Sequence, residues 1–81
     1  MARGRGAASP QDKEASLLIS KKLKELLKET GKKQVELSHE TGIPASTLTG
    51  YIKGTSLPIA ANLEKIARFF DVEVEEIDPR Y

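Results

Sequence analysis

Residues 34–53, QVELSHETGIPASTLTGYIK, decide how this chain folds. Val35 and Leu37 give a first short helix its apolar anchors. Gly42 then stands where a chain leaving a helix takes up the left-handed backbone that glycine adopts without steric cost. Ile43 follows as a buried plug, and Pro44 brings a fixed φ suited to the first turn of a second helix. Leu48, Tyr51 and Ile52 recur at helical spacing, which leaves Ala45, Ser46, Thr49 and Gly50 on the open face. The pattern predicts helices over about 34–41 and 45–52 joined by a tight turn. A helix that shows small, hydrogen-bonding side chains to solvent while another helix braces it has the shape that enters a DNA major groove.

Outward from this stretch, the remaining elements are also helical. Residues 1–10, MARGRGAASP, are small, Gly-rich and basic, and read as a flexible arm ended by Pro10. Residues 11–29 read as a long helix in which Leu18, Ile19, Leu23, Leu26 and Leu27 recur at three- and four-residue spacing, capped by Ser9 or Asp12 and stopped at Gly31. Gly54 and Pro58 bound a loop. A helix over 59–70 follows, with Leu63, Ile66, Ala67 and Phe70 facing inward. Val72, Val74 and Ile77 lie in a short last helix around 73–78; the period-two alternation there also suits a strand, but a lone strand would have no partner. The expected fold is all-α: a compact four- to five-helix bundle containing a helix-turn-helix over 11–78. Residues 79–81 form a tail, read as the start of a linker to a further C-terminal domain.

Eighty-one residues make one small domain with a lean, mostly aliphatic core. With no cysteine, disulfides and thiolate metal sites are excluded, and a reducing, cytoplasmic setting is expected. The two N-terminal arginines precede no apolar segment of the secretory type, and no stretch is long enough to span a membrane. The net charge is only +1, yet residues 1–33 hold nine Lys/Arg against four acids while residues 58–81 hold three against six. One face is thus suited to phosphates and another turned away from them.

Several residues invite a sharper chemistry than their surroundings support. His39 is the only histidine, so no metal site is expected, and no Ser/His/Asp or Cys/His nucleophile can be assembled; the chain reads as non-enzymatic, without a cofactor. Asp71, Glu73, Glu75, Glu76 and Asp78 lack the ordered spacing and glycine of a calcium loop and read as a solvated acidic end. Lys22, Lys24 and Lys28 alternate with Glu25 and Glu29 as a solvated helix face would, whereas Lys32 and Lys33 lie beside the second helix and are better placed for phosphates. Tyr51 and Phe70 fall at core positions. Phe69 is expected to be partly exposed, forming an apolar patch with Val72, Val74, Ile77 and Tyr81.

Taken together, Gln34, Leu37, Gly42-Ile43, Ser46-Thr47-Leu48, Gly54, Pro58, Leu63, Ile66-Ala67 and Phe70-Asp71-Val72 resemble the lambda-repressor-like (Cro/phage-repressor-type, XRE) helix-turn-helix family over residues 17–78. Two positions depart from it: Ser38 stands where the family usually has alanine, and Ile52 where many members carry glutamate. The resemblance implies a double-stranded DNA partner read as palindromic operator half-sites, a repressor function in a bacterial or phage-infected cell, and a homodimer that is weak at this length. By position, Gln34 would bond a phosphate and support a base contact. Pro44, Ala45, Ser46, Thr49 and Gly50 would face the groove, with Thr47, Lys33, Lys53 and Thr55 on phosphates. Arg3 and Arg5 in the arm would supply minor-groove or backbone contacts that the third helix, lacking Arg, Asn and Gln, does not. Phe69, Val72, Val74 and Ile77 would carry dimerisation. A different reading of the same fold is an antitoxin or adaptor that binds a protein partner; nonspecific architectural DNA binding is weakened by the small net charge.

Overall fold

The computed structural model describes residues 10–81, with side chains from residue 12 onward. Residues 1–9 of the expected arm, including Arg3, Arg5 and the candidate cap Ser9, lie outside the described residues. Five helices follow in order: α1 (Pro10–Thr30), α2 (Gln34–Thr41), α3 (Ala45–Lys53), α4 (Ala60–Phe70) and α5 (Val74–Ile77). No strand occurs among the described residues, so the tail is the short helix and not the alternating strand. Pro10 opens α1 instead of closing the arm: a first-turn residue has no intrahelical acceptor for its N–H, so proline loses nothing there.

Alpha1 is the spine, packed on α3 and α5, while α2 packs on α3 and α4. Its buried stripe is Ala15, Ile19, Leu23 and Leu26, flanked by the buried Ser16 and Ser20. Leu18, expected in the core, is 47% exposed, and Leu27 is only partly covered. The stripe turns toward the serines because α3 approaches closely on that side. The Ser20 hydroxyl donates to the Ile52 carbonyl at the end of α3, and the Ser16 hydroxyl donates to the Lys13 carbonyl at 2.8 Å. Leucines on that flank would hold the two helices apart.

Each short helix adds a few apolar side chains to the same core. Alpha2 contributes Leu37, fully buried, whereas Val35, expected as a second anchor, is 68% exposed. Two residues are about 200° of helical turn, so both cannot enter one core from a helix this short. Alpha3 contributes Leu48 and Tyr51, the latter with its hydroxyl accepting from Asn62 Nδ2 of α4 at 3.0 Å. Alpha4 buries Leu63, Ile66, Ala67 and Phe70, as the spacing predicted. It ends at Asp71, whose left-handed backbone (φ 58°) turns the chain into α5.

The last residues differ most from expectation. Ile77 is 2% exposed and belongs to the core, so it is not part of any surface patch. Asp78 is not solvated but fully buried. Its carboxylate accepts from Arg80: Nε at 3.0 Å from both oxygens, Nη2 at 2.6 Å from Oδ2, and the backbone N–H at 2.9 Å from Oδ1. Arg80 Nη2 also donates to the Pro58 carbonyl at 3.3 Å. Residues expected to trail away as a tail are therefore fastened to the α3–α4 loop. Hydrogen bonding to Asp78 holds the guanidinium even more firmly protonated than usual.

Candidate nucleic-acid interface

The turn between α2 and α3 is closed by small groups. Gly42 caps α2 with φ 76° and donates its N–H to the Ser38 carbonyl at 2.9 Å. The Ser38 hydroxyl donates to the Ile43 carbonyl at 2.7 Å, a bond that alanine at this position would not supply. The Thr41 hydroxyl donates to the Leu37 carbonyl at 2.6 Å and accepts from the Ile43 N–H at 3.2 Å. With Ile43 buried beneath it, the turn fixes the angle between the two helices.

At the other end of α2, the Lys33 N–H donates to Glu36 Oε1 at 2.9 Å, half of a capping box. Gln34 then reaches across to α3. Its Nε2 donates to Thr49 Oγ1 at 2.9 Å and to the Ala45 carbonyl at 3.3 Å. A carbonyl only accepts, so the amide nitrogen, not its oxygen, faces α3. Thr49 Oγ1 in turn donates to the Ala45 carbonyl at 2.9 Å. The Thr49 proton is therefore used inside the protein, which leaves its oxygen one uncommitted lone pair. This network joins the first turn of α2 to the open face of α3.

Pro44 occupies the N-cap of α3, and no side chain caps that helix. Its first-turn N–H groups are left to outside acceptors, at the end where the helix dipole favours anions. Pro44, Ala45 and Ser46 are exposed beside them, and Thr47 and Thr49 are half-buried. Lys33 and Lys53 are exposed at the two flanks. Thr55 is exposed as well, its hydroxyl donating to the Gly50 carbonyl at 3.3 Å.

Gly50 is not where the spacing put it. A Cβ at Gly50 would lie 2.6 Å from Ser56 Oγ, so this position faces the loop after α3 and not the open face. The N–H groups of Thr55 (2.9 Å) and Ser56 (3.3 Å) both donate to its carbonyl, folding the loop back over the helix. The signal that would have found this is the pairing of two small residues, Gly50 and Ser56, across a glycine-capped helix end. Of the other expected contacts, Phe69, Val72 and Val74 are half-buried around the core edge, while Ile77 is inside it.

Comparison with known proteins agrees with this geometry. A family described as helix-turn-helix matches residues 23–77, which contain all of α2, α3 and α4. A curated relative, the cryptic phage CTXphi transcriptional repressor RstR of Vibrio cholerae, is 32% identical over 60 residues, 74% of this chain. The match spans 54% of that protein's own length. No solved structure matches the chain significantly.

Proposed function

Because this chain belongs to the helix-turn-helix family, we propose that it binds double-stranded DNA sequence-specifically and regulates transcription as a phage-type repressor inside a bacterial cell. The observation that carries this reading is the bond from Gln34 to Thr49 and Ala45, which locks α2 and α3 into one rigid unit. That unit presents Ala45 and Ser46 beside an uncapped helix N-terminus. The first-turn N–H groups of α3 hold a phosphate or a base-edge acceptor, Ser46 bonds a base edge, and the Ala45 and Thr49 methyls pack on thymine methyls. Lys33, Lys53 and the arm residues Arg3 and Arg5 neutralise phosphates. Thr47 and Thr55 are placed to join them; the long Thr55–Gly50 bond is one a phosphate oxygen displaces. Two copies on a palindrome, meeting through Phe69, Val72 and Val74, occlude polymerase.

Selection from a random duplex pool tests this reading. A palindromic sequence is expected to be enriched, and Ser46→Arg and Thr49→Ala are expected to change which sequence wins. Enrichment of nothing, or an identical winner for all three proteins, would overturn sequence reading by α3.

A further inference from the structure

On the side of α4 that meets α2, one cation lies over an aromatic ring and two more line the groove beside it. Lys65 and Arg68 stand one turn apart on α4 and are both exposed. Lys32, from the α1–α2 loop, places its Nζ 5.2 Å from the centroid of the Phe69 ring. Phe69 is half-buried, held edge-on to Phe70 with centroids 4.9 Å apart. With Glu40 and Thr41 at the end of α2, Lys65, Arg68 and Phe69 line an open groove of about 400 Å³. Among the described residues, no carboxylate lies within ion-pair distance of Lys32, Lys65 or Arg68. Glu40 is turned instead toward His39, at 3.8 Å.

A ligand carrying both negative charge and apolar bulk would use the cations and the partly exposed ring together. The groove is too open to enclose a small anion on most sides, which argues for a segment laid along it. Duplex DNA fits poorly, since its phosphates have no use for the ring; Glu40 on the rim opposes any anion, so negative groups must sit at the Lys65–Arg68 side. A peptide with acidic side chains flanking a large apolar one matches this lining, its carboxylates on Lys65 and Arg68 and its apolar residue on Phe69.

We infer that the groove between α2 and α4 docks an acidic, apolar-containing segment of a partner protein, on a face separate from the exposed residues of α3. A protein bound there covers Phe69 and so competes with the pairing of two copies proposed above, while leaving Ala45 and Ser46 free.

The test is fluorescence anisotropy of the full chain with a labelled peptide of alternating glutamate and leucine, its glutamine–leucine counterpart and polyglutamate. Saturable binding to the first, weaker by at least roughly tenfold for the other two, is expected. The double charge reversal Lys65→Glu/Arg68→Glu alters exposed residues only and should abolish that binding while leaving the helical circular dichroism unchanged. Phe69→Ala should weaken it with the charges intact. Affinity for a random-sequence duplex at low salt is measured beside it. An unchanged duplex affinity in the charge-reversed protein supports the inference. Loss of duplex binding would assign the cations to DNA and overturn it, as would peptide binding that survives the reversal or is absent from the unaltered chain.

Discussion

Thr49 carries two duties on one side chain, and they can be separated. Its hydroxyl is committed to Gln34 and the Ala45 carbonyl, while its methyl is the group proposed to meet a thymine methyl. Thr49→Val keeps the shape and the methyl but removes the oxygen, leaving Gln34 only the longer bond to Ala45. Neutral bonds this near the surface contribute about 1 kcal/mol to stability, so the urea midpoint should move little. Binding to the selected duplex should fall by roughly five- to tenfold, because α3 loses its brace against α2. Gln34→Ala should do the same, and the double variant should be no worse than either single one. Additive losses would show that the two residues act independently on DNA. Helical spacing put Thr49 on the open face, where it is half-buried; that Gln34 holds its oxygen was not legible, since Gln34 comes from a different helix. Gly50 was misplaced for the same kind of reason: its neighbour Ser56 arrives from a loop whose path no periodicity encodes.

Helix boundaries proved readable because their signals are local. Gly31, Gly42 and Gly54 each take the positive φ that ends a helix, and Pro10 and Pro44 stand at helix starts. Orientation about the helix axis was harder. Two buried serines, not Leu18, set the face that α1 turns inward, because the closeness of α3 decides what fits. Hydrophobicity alone would recommend Ser20→Leu, yet packing predicts the opposite sign. Ser20 is only 4% exposed and its hydroxyl already rests on the Ile52 carbonyl, so a larger chain must push α3 away. Overpacking and the lost bond to the Ile52 carbonyl together should cost about 2–4 kcal/mol in urea unfolding. A stabilised Ser20→Leu protein would mean that the α1–α3 contact is loose. Ser38, a small-for-small departure in sequence, likewise latches the α2–α3 turn through its hydroxyl.

At the scale of the whole molecule, the sequence is basic in its first part and acidic toward its C-terminal end, and each makes its own prediction. Lys33, Lys53, Arg3 and Arg5 are few, so the log–log salt slope for one half-site should be modest, about −3 to −4. A far steeper slope would bring in the lysines of α1 and of the α2–α4 groove. At the other end, the acidic run of the sequence conceals a structural group. Asp78 is buried and bound by Arg80, which in turn holds Pro58, so the C-terminus closes over the loop that carries Thr55. Composition could not separate Asp78 from Glu75 and Glu76, because only the folded path brings Arg80 back over it. Arg80→Ala leaves that carboxylate with one backbone donor. Breaking a fully buried pair costs about 3–5 kcal/mol, but the Arg80 side chain is 35% exposed, so water shares its charge. The expected loss is about 1–3 kcal/mol, read as a lower urea midpoint with an unchanged slope. Adding Asp78→Ala should restore part of the loss, since it removes the stranded charge. A double variant less stable than Arg80→Ala alone would mean that Asp78 holds the tail through its backbone contact and not through the ion pair.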